Sequence, residues 1–366
     1  MDNIKRGNMG VPSEIDEWVN FFYNNTVSLI SQFIKLGKTN NTLFYLDEEK
    51  EIESYGTTFE NDQDFDSSIL KDNNIKLKNL LIEIEICTIP QKYFSTSEWT
   101  AHYNDSSAEL VGDTLYDSEI YFEFFIPEEI LEVEEKDLAK YLLDSKLKAY
   151  IMEYISHELT HMYEFYLRKI NNSDNNWVER RYNLVFNLMQ DYLESIGMKY
   201  LSEDWIKLIH LIYVTYGFEI NARIVQLYYR LNNLPFDINS YTIFKDNIKD
   251  TLINKEMEYM KKFNPIQWFE EFEYDKELAD KYLSSQEWIT TNMLSTINKK
   301  QLVLKSLILN LDYIIGNLNK MGENIKRIPK QYQKNPLLFI DYHNRRFKKS
   351  YSKLDNKITR LYNKFI

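Results

Sequence analysis

The stretch ISHELTHMYE, residues 155–164, carries two of the chain's five histidines, His157 and His161, with Glu158 directly after the first. On an α-helix, residues four apart lie one turn apart and differ in direction by about 40°, so both imidazoles face one side. Two neutral imidazoles placed this way grip one divalent ion, and zinc accepts them, adding a third protein ligand and a water where it is catalytic. Glu158 is turned by about 100° from His157. From there its carboxylate reaches a metal-bound water without taking a ligand position, accepts the proton the metal has acidified and passes it to a leaving group. The plainer alternative is a pair of half-buried histidines beside a solvated glutamate. The context favours a helix either way: Asp144 or Ser145 starts it, and Tyr150, Ile151, Tyr154, Ile155 and Met162 supply a packing face.

A third ligand has to come from elsewhere. The segment continues as helix without the glycine and third histidine that metzincins place next. Glu164 shares the face of His157 but lies roughly 10 Å along the axis, a full turn beyond the expected ion. YVTYGFEINARIVQLYYRL, residues 213–231, offers Glu219, flanked by Gly217 and Ala222, small residues that let a second helix approach closely. Arg223, four residues on, is spaced to orient that carboxylate or another acid, although a surface pair has the same spacing. His210 is the other candidate ligand. Attack on a carbonyl also needs a donor for the oxyanion. Tyr213, Tyr216 and His210 lie nearby in sequence, in a chain whose 28 tyrosines mostly serve packing.

Upstream, LLIEIEI (80–86) alternates strictly, with Ile82, Ile84 and Ile86 on one face and Glu83 and Glu85 on the other. EIYFEFFIP (119–127) alternates too and ends at a proline; between the two runs STSEWTAHYNDSSAELVGD reads as a loop or ragged hairpin. Residues of about 42–130 therefore predict a small, mostly antiparallel sheet. Before it, PSEIDEWVNFFYNNTVSLISQFIKLG predicts a helix opened by Pro12 and Ser13 and followed by Gly37. Its buried stripe is Ile15, Trp18, Val19, Phe22, Leu29, Ile30 and Phe33. Downstream the pattern is helical: 135–143, 145–169, 177–200, 203–232 and several helices from 240 to 320. Breaks fall at NNSDNN (171–176), NNLPFD (232–237), FNP (263–265) and RIPKQYQKNP (327–336), and a basic amphipathic helix follows Pro336.

Composition bounds the function classes. A hydrophobic content of 44% over 366 residues describes a globular chain able to bury a large core. One cysteine, Cys87, excludes an internal disulfide framework and suggests a reducing compartment; it follows an apolar alternating run, where a buried inert thiol is expected. The first residues lack the apolar core of a signal peptide, and LVLKSLILNLDYIIGNL is broken by Lys305 and Asp312. A cytoplasmic location is the expectation, in a host cell or aboard a virion if phage-encoded, with no membrane partner. Net charge is −12, yet residues 320–366 carry thirteen Lys and Arg against three acids. Such a tail suits an acidic partner or its own acidic body. Nucleic acid is a weaker option: Tyr342, Phe347, Tyr351 and Tyr362 interleave the charges, but no recognised binding motif is present, and helical spacing makes them a packing stripe.

HELTH followed, one helical hairpin later, by FEINAR resembles the gluzincin branch of the zincin-like metallopeptidases, and most of all uncharacterised zincin-like proteins of bacteriophages and gut bacteria. The resemblance covers roughly residues 115–232. It implies a Zn2+ cofactor held by His157, His161 and Glu219, with Glu158 as general base. It also implies an antiparallel edge strand above the active helix, to which an extended peptide substrate adds; EIYFEFFIP is in the chain order for that role, or for a core strand. The chain departs from the thermolysin pattern, in which the third-ligand glutamate follows sooner and is trailed by an aspartate, the gap here being 58 residues. The expected fold is thus α+β and predominantly helical, a zincin-like sheet packed on the HExxH helix and a helical C-terminal half. The expected organisation is a metallopeptidase domain over 1–236, with its active-site helix at about 145–169 and third-ligand helix at about 216–232, a helical subdomain over 237–335 and a basic helix or tail over 336–366. The expected function is zinc-dependent peptide hydrolysis, the alternative being a phage virion or assembly protein that keeps the fold with weak or no catalysis.

Overall fold

A computed structural model describes residues 15–39, 53–61, 76–78, 80–89, 100–104, 108–112, 114–116, 118–170, 178–290, 293–294, 297–322 and 325–365. Pro12, Ser13, the NNSDNN stretch and the side chain of Cys87 lie outside the described residues. The chain is α+β and mainly helical, and it groups into two compact units that are discontinuous in sequence, unlike the contiguous segments 1–236, 237–335 and 336–366. One comprises residues 1–173, 221–252 and 356–366; the other comprises 174–220 and 253–355.

The first unit opens with helix α1 (Asp16–Thr39). All seven residues of the expected stripe are buried, from Ile15 to Phe33. The helix runs through Gly37 instead of stopping there: one glycine in a helix interior costs only about 1 kcal/mol relative to alanine. Among the described residues seven strands follow: β1 (Glu53–Asn61), β2 (Lys76–Lys78), β3 (Leu80–Ile89), β4 (Thr100–Asn104), β5 (Glu109–Val111), β6 (Thr114–Tyr116) and β7 (Glu119–Pro127). They form a four-stranded sheet in the order β1-β3-β7-β4 and a three-stranded sheet in the order β2-β6-β5. In the larger sheet the two outer ladders are antiparallel and the central β3–β7 ladder is parallel. The stretch read as a loop or hairpin in fact supplies β4 and β5, which pair with β7 and β6 and not with each other.

Register puts the apolar residues on one face. Ile84 lies opposite Phe122, Ile86 opposite Phe124 and Tyr103 opposite Ile120, and all six are buried. That face is covered by α1, whose Phe22 ring meets Phe122 at 6.0 Å. It is also covered by the helix carrying the histidine motif, whose Phe165 meets Tyr103 at 6.0 Å. EIYFEFFIP is therefore a central strand, flanked on both sides. Of the two edges, β1 and β4, β4 is a short TAHYN segment with His102 exposed, as edges that resist unwanted pairing tend to be short and polar.

Helix α2 (Leu138–Asp144) is followed after Ser145 by Lys146, the only described non-glycine residue with positive φ, at 64°. This left-handed residue separates α2 from α3 (Leu147–Ile170). The segment 221–252 contributes most of α6 (Gly217–Asn232) and α7 (Tyr241–Ile248). Tyr229 of α6 donates to Asp16 of α1.

The regular elements among the described residues of the second unit are helices: α4 (Val178–Ser195), α5 (Glu203–Val214), α8 (Leu252–Lys262), α9 (Pro265–Glu271), α10 (Lys276–Ser284), α11 (Lys299–Lys320), α12 (Lys330–Lys334) and most of α13 (Pro336–Phe365). Polar side chains start these helices: Ser202, Asn264, Asp275 and Asn298 each accept a backbone N–H of the first turn. The core is aromatic, with Trp205 stacked on Phe339 at 6.2 Å and Phe263 edge-on to Phe347 at 5.0 Å. Asp312 of α11 accepts from the Arg327 guanidinium and from the Ile328 N–H at 2.9 Å.

One helical expectation changes and one holds. The run 203–232 is two helices, not one, because Thr215 caps α5 by donating its hydroxyl to the Ile212 carbonyl at 2.6 Å, and α6 restarts at Gly217. The basic tail is a single helix of 30 residues with Phe339, Ile340, Phe347, Leu354, Ile358 and Leu361 buried, so its regular apolar spacing is a packing stripe. No described helix is long and apolar enough to cross a membrane.

Candidate metal centre

Helix α3 is wedged between apolar neighbours: Ile151, Ile155, Leu159 and Met162 are fully or almost fully buried. This packing fixes the rotation of the helix and leaves a polar stripe, Glu153, His157, His161 and Glu164, on one face at spacings of four, four and three. The imidazoles of His157 and His161 converge, their Nε2 atoms 3.1 Å apart and their rings at 89°. Two ligands on one tetrahedral zinc, with arms of about 2.0–2.1 Å, are separated by about 3.3 Å. The observed spacing therefore matches one ion shared by both rings.

Glu219 completes the set. His157, His161 and Glu219 each offer a ligand atom, and all these atoms lie within 4.8 Å of one another, the one such group of three among the described residues. Bringing the carboxylate to tetrahedral distance takes a shift of at most about 1.5 Å. Glu219 stands in the first turn of α6 because the chain breaks at Thr215–Tyr216. A negative side chain is stabilised there by the exposed N–H groups of the helix start. It is fully buried, at 0% exposure, a position a carboxylate takes only with charged or hydrogen-bonding company. Glu158, also buried, has Oε1 3.9 Å from the Nε2 of His157, beside the ligand set and outside it.

Helix α6 carries a matching polar stripe, Glu219, Arg223, Gln226 and Arg230. Arg230 Nη1 donates to Glu153 Oε2 at 3.1 Å, and its guanidinium lies 4.8 Å over the Tyr150 ring. Gln226 also bonds Glu153, and Arg223 acts on it through space. Burial raises the Glu153 carboxyl above the usual carboxylate range, and the two arginines and Gln226 work against that rise. At the other end Asn221 Nδ2 donates to Glu164 Oε1 at 2.9 Å. With Glu153 tied to Arg230 and Glu164 tied to Asn221, α3 and α6 run antiparallel.

The remaining nominated residues make other contacts. His210, half-exposed on α5, has Nε2 3.0 Å from Glu256 Oε1 and is no member of the ligand group. Tyr216 is 1% exposed, stacked on Phe218 at 6.0 Å beneath the Arg346 guanidinium at 4.9 Å. Tyr213 meets both rings edge-on. These ring contacts use the apolar bodies of the two tyrosines. Glu164 supports the helix junction and lies outside the group of three. Sequence reading missed Glu153, Gln226 and Arg230; the available signal was the unbroken polar face at helical spacing through two otherwise apolar helices.

No family model, curated protein or solved structure matches this chain.

Proposed function

We propose that the chain is a zinc-dependent hydrolase of peptide bonds. The observation that carries this reading is the convergence of His157, His161 and Glu219 beside a buried Glu158 left outside the ligand set. Two imidazoles and one carboxylate form a donor set that zinc takes in catalytic sites. When bound, zinc lowers the pKa of a coordinated water towards 7 and polarises a carbonyl oxygen. Glu158 then takes the proton from the attacking water and returns it to the amine that leaves. The low exposure around it keeps bulk water from competing for that proton. Arg223 and Arg230 hold α6 against α3, so Glu219 faces the imidazoles. The outer side of β4, at one edge of the four-stranded sheet and beside α3, is where an extended peptide adds as a fifth strand.

The test uses elemental analysis and peptide cleavage together. Wild type binds one zinc per chain, His157→Ala and Glu219→Ala lose it, and Glu158→Gln keeps it while losing about 10²- to 10⁴-fold in rate. A Glu158→Gln protein that cleaves at the wild-type rate overturns the assignment of the base. A wild type without zinc overturns the whole reading.

A further inference from the structure

We infer that the last turns of α13 position the metal-binding carboxylate, with Lys357 as a positioning residue acting through Asn221. The inference rests on the reading of His157, His161 and Glu219 as a metal centre. Lys357 Nζ donates to Asn221 Oδ1 at 3.1 Å, and Asn221 Nδ2 donates to Glu164 Oε1 at 2.9 Å. Asn221 stands two residues after Glu219, and Glu164 three after His161. One amide thus joins the ligand-bearing end of α6 to the ligand-bearing helix α3. A lysine from the far end of the chain holds that amide.

The chemistry of the three groups allows one orientation only. An ammonium can only donate and a carboxylate can only accept, so the amide must turn its oxygen to Lys357 and its nitrogen to Glu164. The first turn of a helix is also where orphan N–H groups make fraying cheapest, and Glu219 sits in that turn. Farther along α6 the same stretch of α13 holds Tyr228, with Lys364 Nζ 4.0 Å over its ring and the Phe365 ring at 6.2 Å. Ile358 and Leu361 are buried between these contacts. The residues 356–366 group with α3 and most of α6, although the rest of α13 does not.

Outer contacts that orient metal ligands are typically worth 10- to 100-fold in metal affinity. Here the contact is one step removed from the ligand, so the lower end is expected. The experiment measures zinc affinity of the full chain by competition with a chromophoric chelator, and the visible absorption of the Co2+-loaded protein. Lys357→Met and Asn221→Leu should each bind zinc about tenfold more weakly and show a weaker Co2+ band, while Lys357→Arg restores both. Thermal midpoints of the metal-free variants close to wild type separate positioning from loss of fold. Should Lys357→Met fail to fold, comparing Asn221→Leu with Lys357→Arg makes the same decision. Unchanged zinc affinity in the variants, with wild type binding zinc, overturns the inference and leaves the metal centre standing. A wild type that binds neither metal overturns both.

Discussion

Replacing Arg230 with methionine removes the strongest partner of a carboxylate that has no water to fall back on. Arg230 and Glu153 have side chains 12% and 7% exposed, so the pair is little screened. Breaking such a pair from one side costs about 3–5 kcal/mol, because the other charge is left buried. Losing the contact with the Tyr150 ring adds about 0.5–1 kcal/mol. Gln226 and Arg223 still face Glu153, which holds the expected total near the lower end, about 3 kcal/mol.

The pH dependence follows from the direction of the shift. Burial raises the Glu153 carboxyl in the folded chain, and Arg230→Met raises it further. The deficit of the variant is therefore complete above its own raised folded pKa. It shrinks as pH falls, and its electrostatic part vanishes below the folded pKa of wild type, where Glu153 is protonated in both proteins. Urea unfolding of the metal-free proteins at several pH values reads this directly. The double variant Glu153→Gln/Arg230→Met should recover about 2 kcal/mol of the loss, since no buried charge remains. A loss below about 1 kcal/mol at neutral pH, or one that does not shrink towards acid, refutes the picture of a charged clamp between α3 and α6.

Two further outcomes are expected. Zinc at a hundredfold excess over its Kd stabilises the folded chain by about 2.7 kcal/mol, so a chelator should lower the thermal midpoint of wild type and leave that of His157→Ala unmoved; equal responses would count against a site at His157. Gly316→Ala places a Cβ 2.6 Å from Arg327 Nη1, which displaces the guanidinium from the buried Asp312 and costs about 1–2 kcal/mol in urea unfolding. The same substitution in an Arg327→Ala background should cost nothing further, and a full additional loss would show that the crowding lies elsewhere.

Much of this architecture was legible without coordinates, and for local reasons. The stripe from Ile15 to Phe33, the alternation of β7 and the helix through His157 and His161 are patterns of period 3.6 or 2 that a segment expresses by itself. The pairing of the two imidazoles is equally local, being a property of spacing on one helix. Where local signals misled, a weak one was overridden by its surroundings, as at Gly37, or a short polar break was outvoted by apolar periodicity on both sides, as at Thr215.

From its residues alone the chain specified which segments coil or extend, which face of each is apolar, and that two histidines spaced to share one ion stand on one helix beside a glutamate. Tertiary structure alone decided that Glu219 and not His210 joins the two histidines, that β7 is central while β4 lies at an edge, and that Lys357 reaches Asn221. The reason is that spacing along the chain determines direction within one element. Which elements meet depends on the packing of all their faces at once, and no segment carries that information by itself.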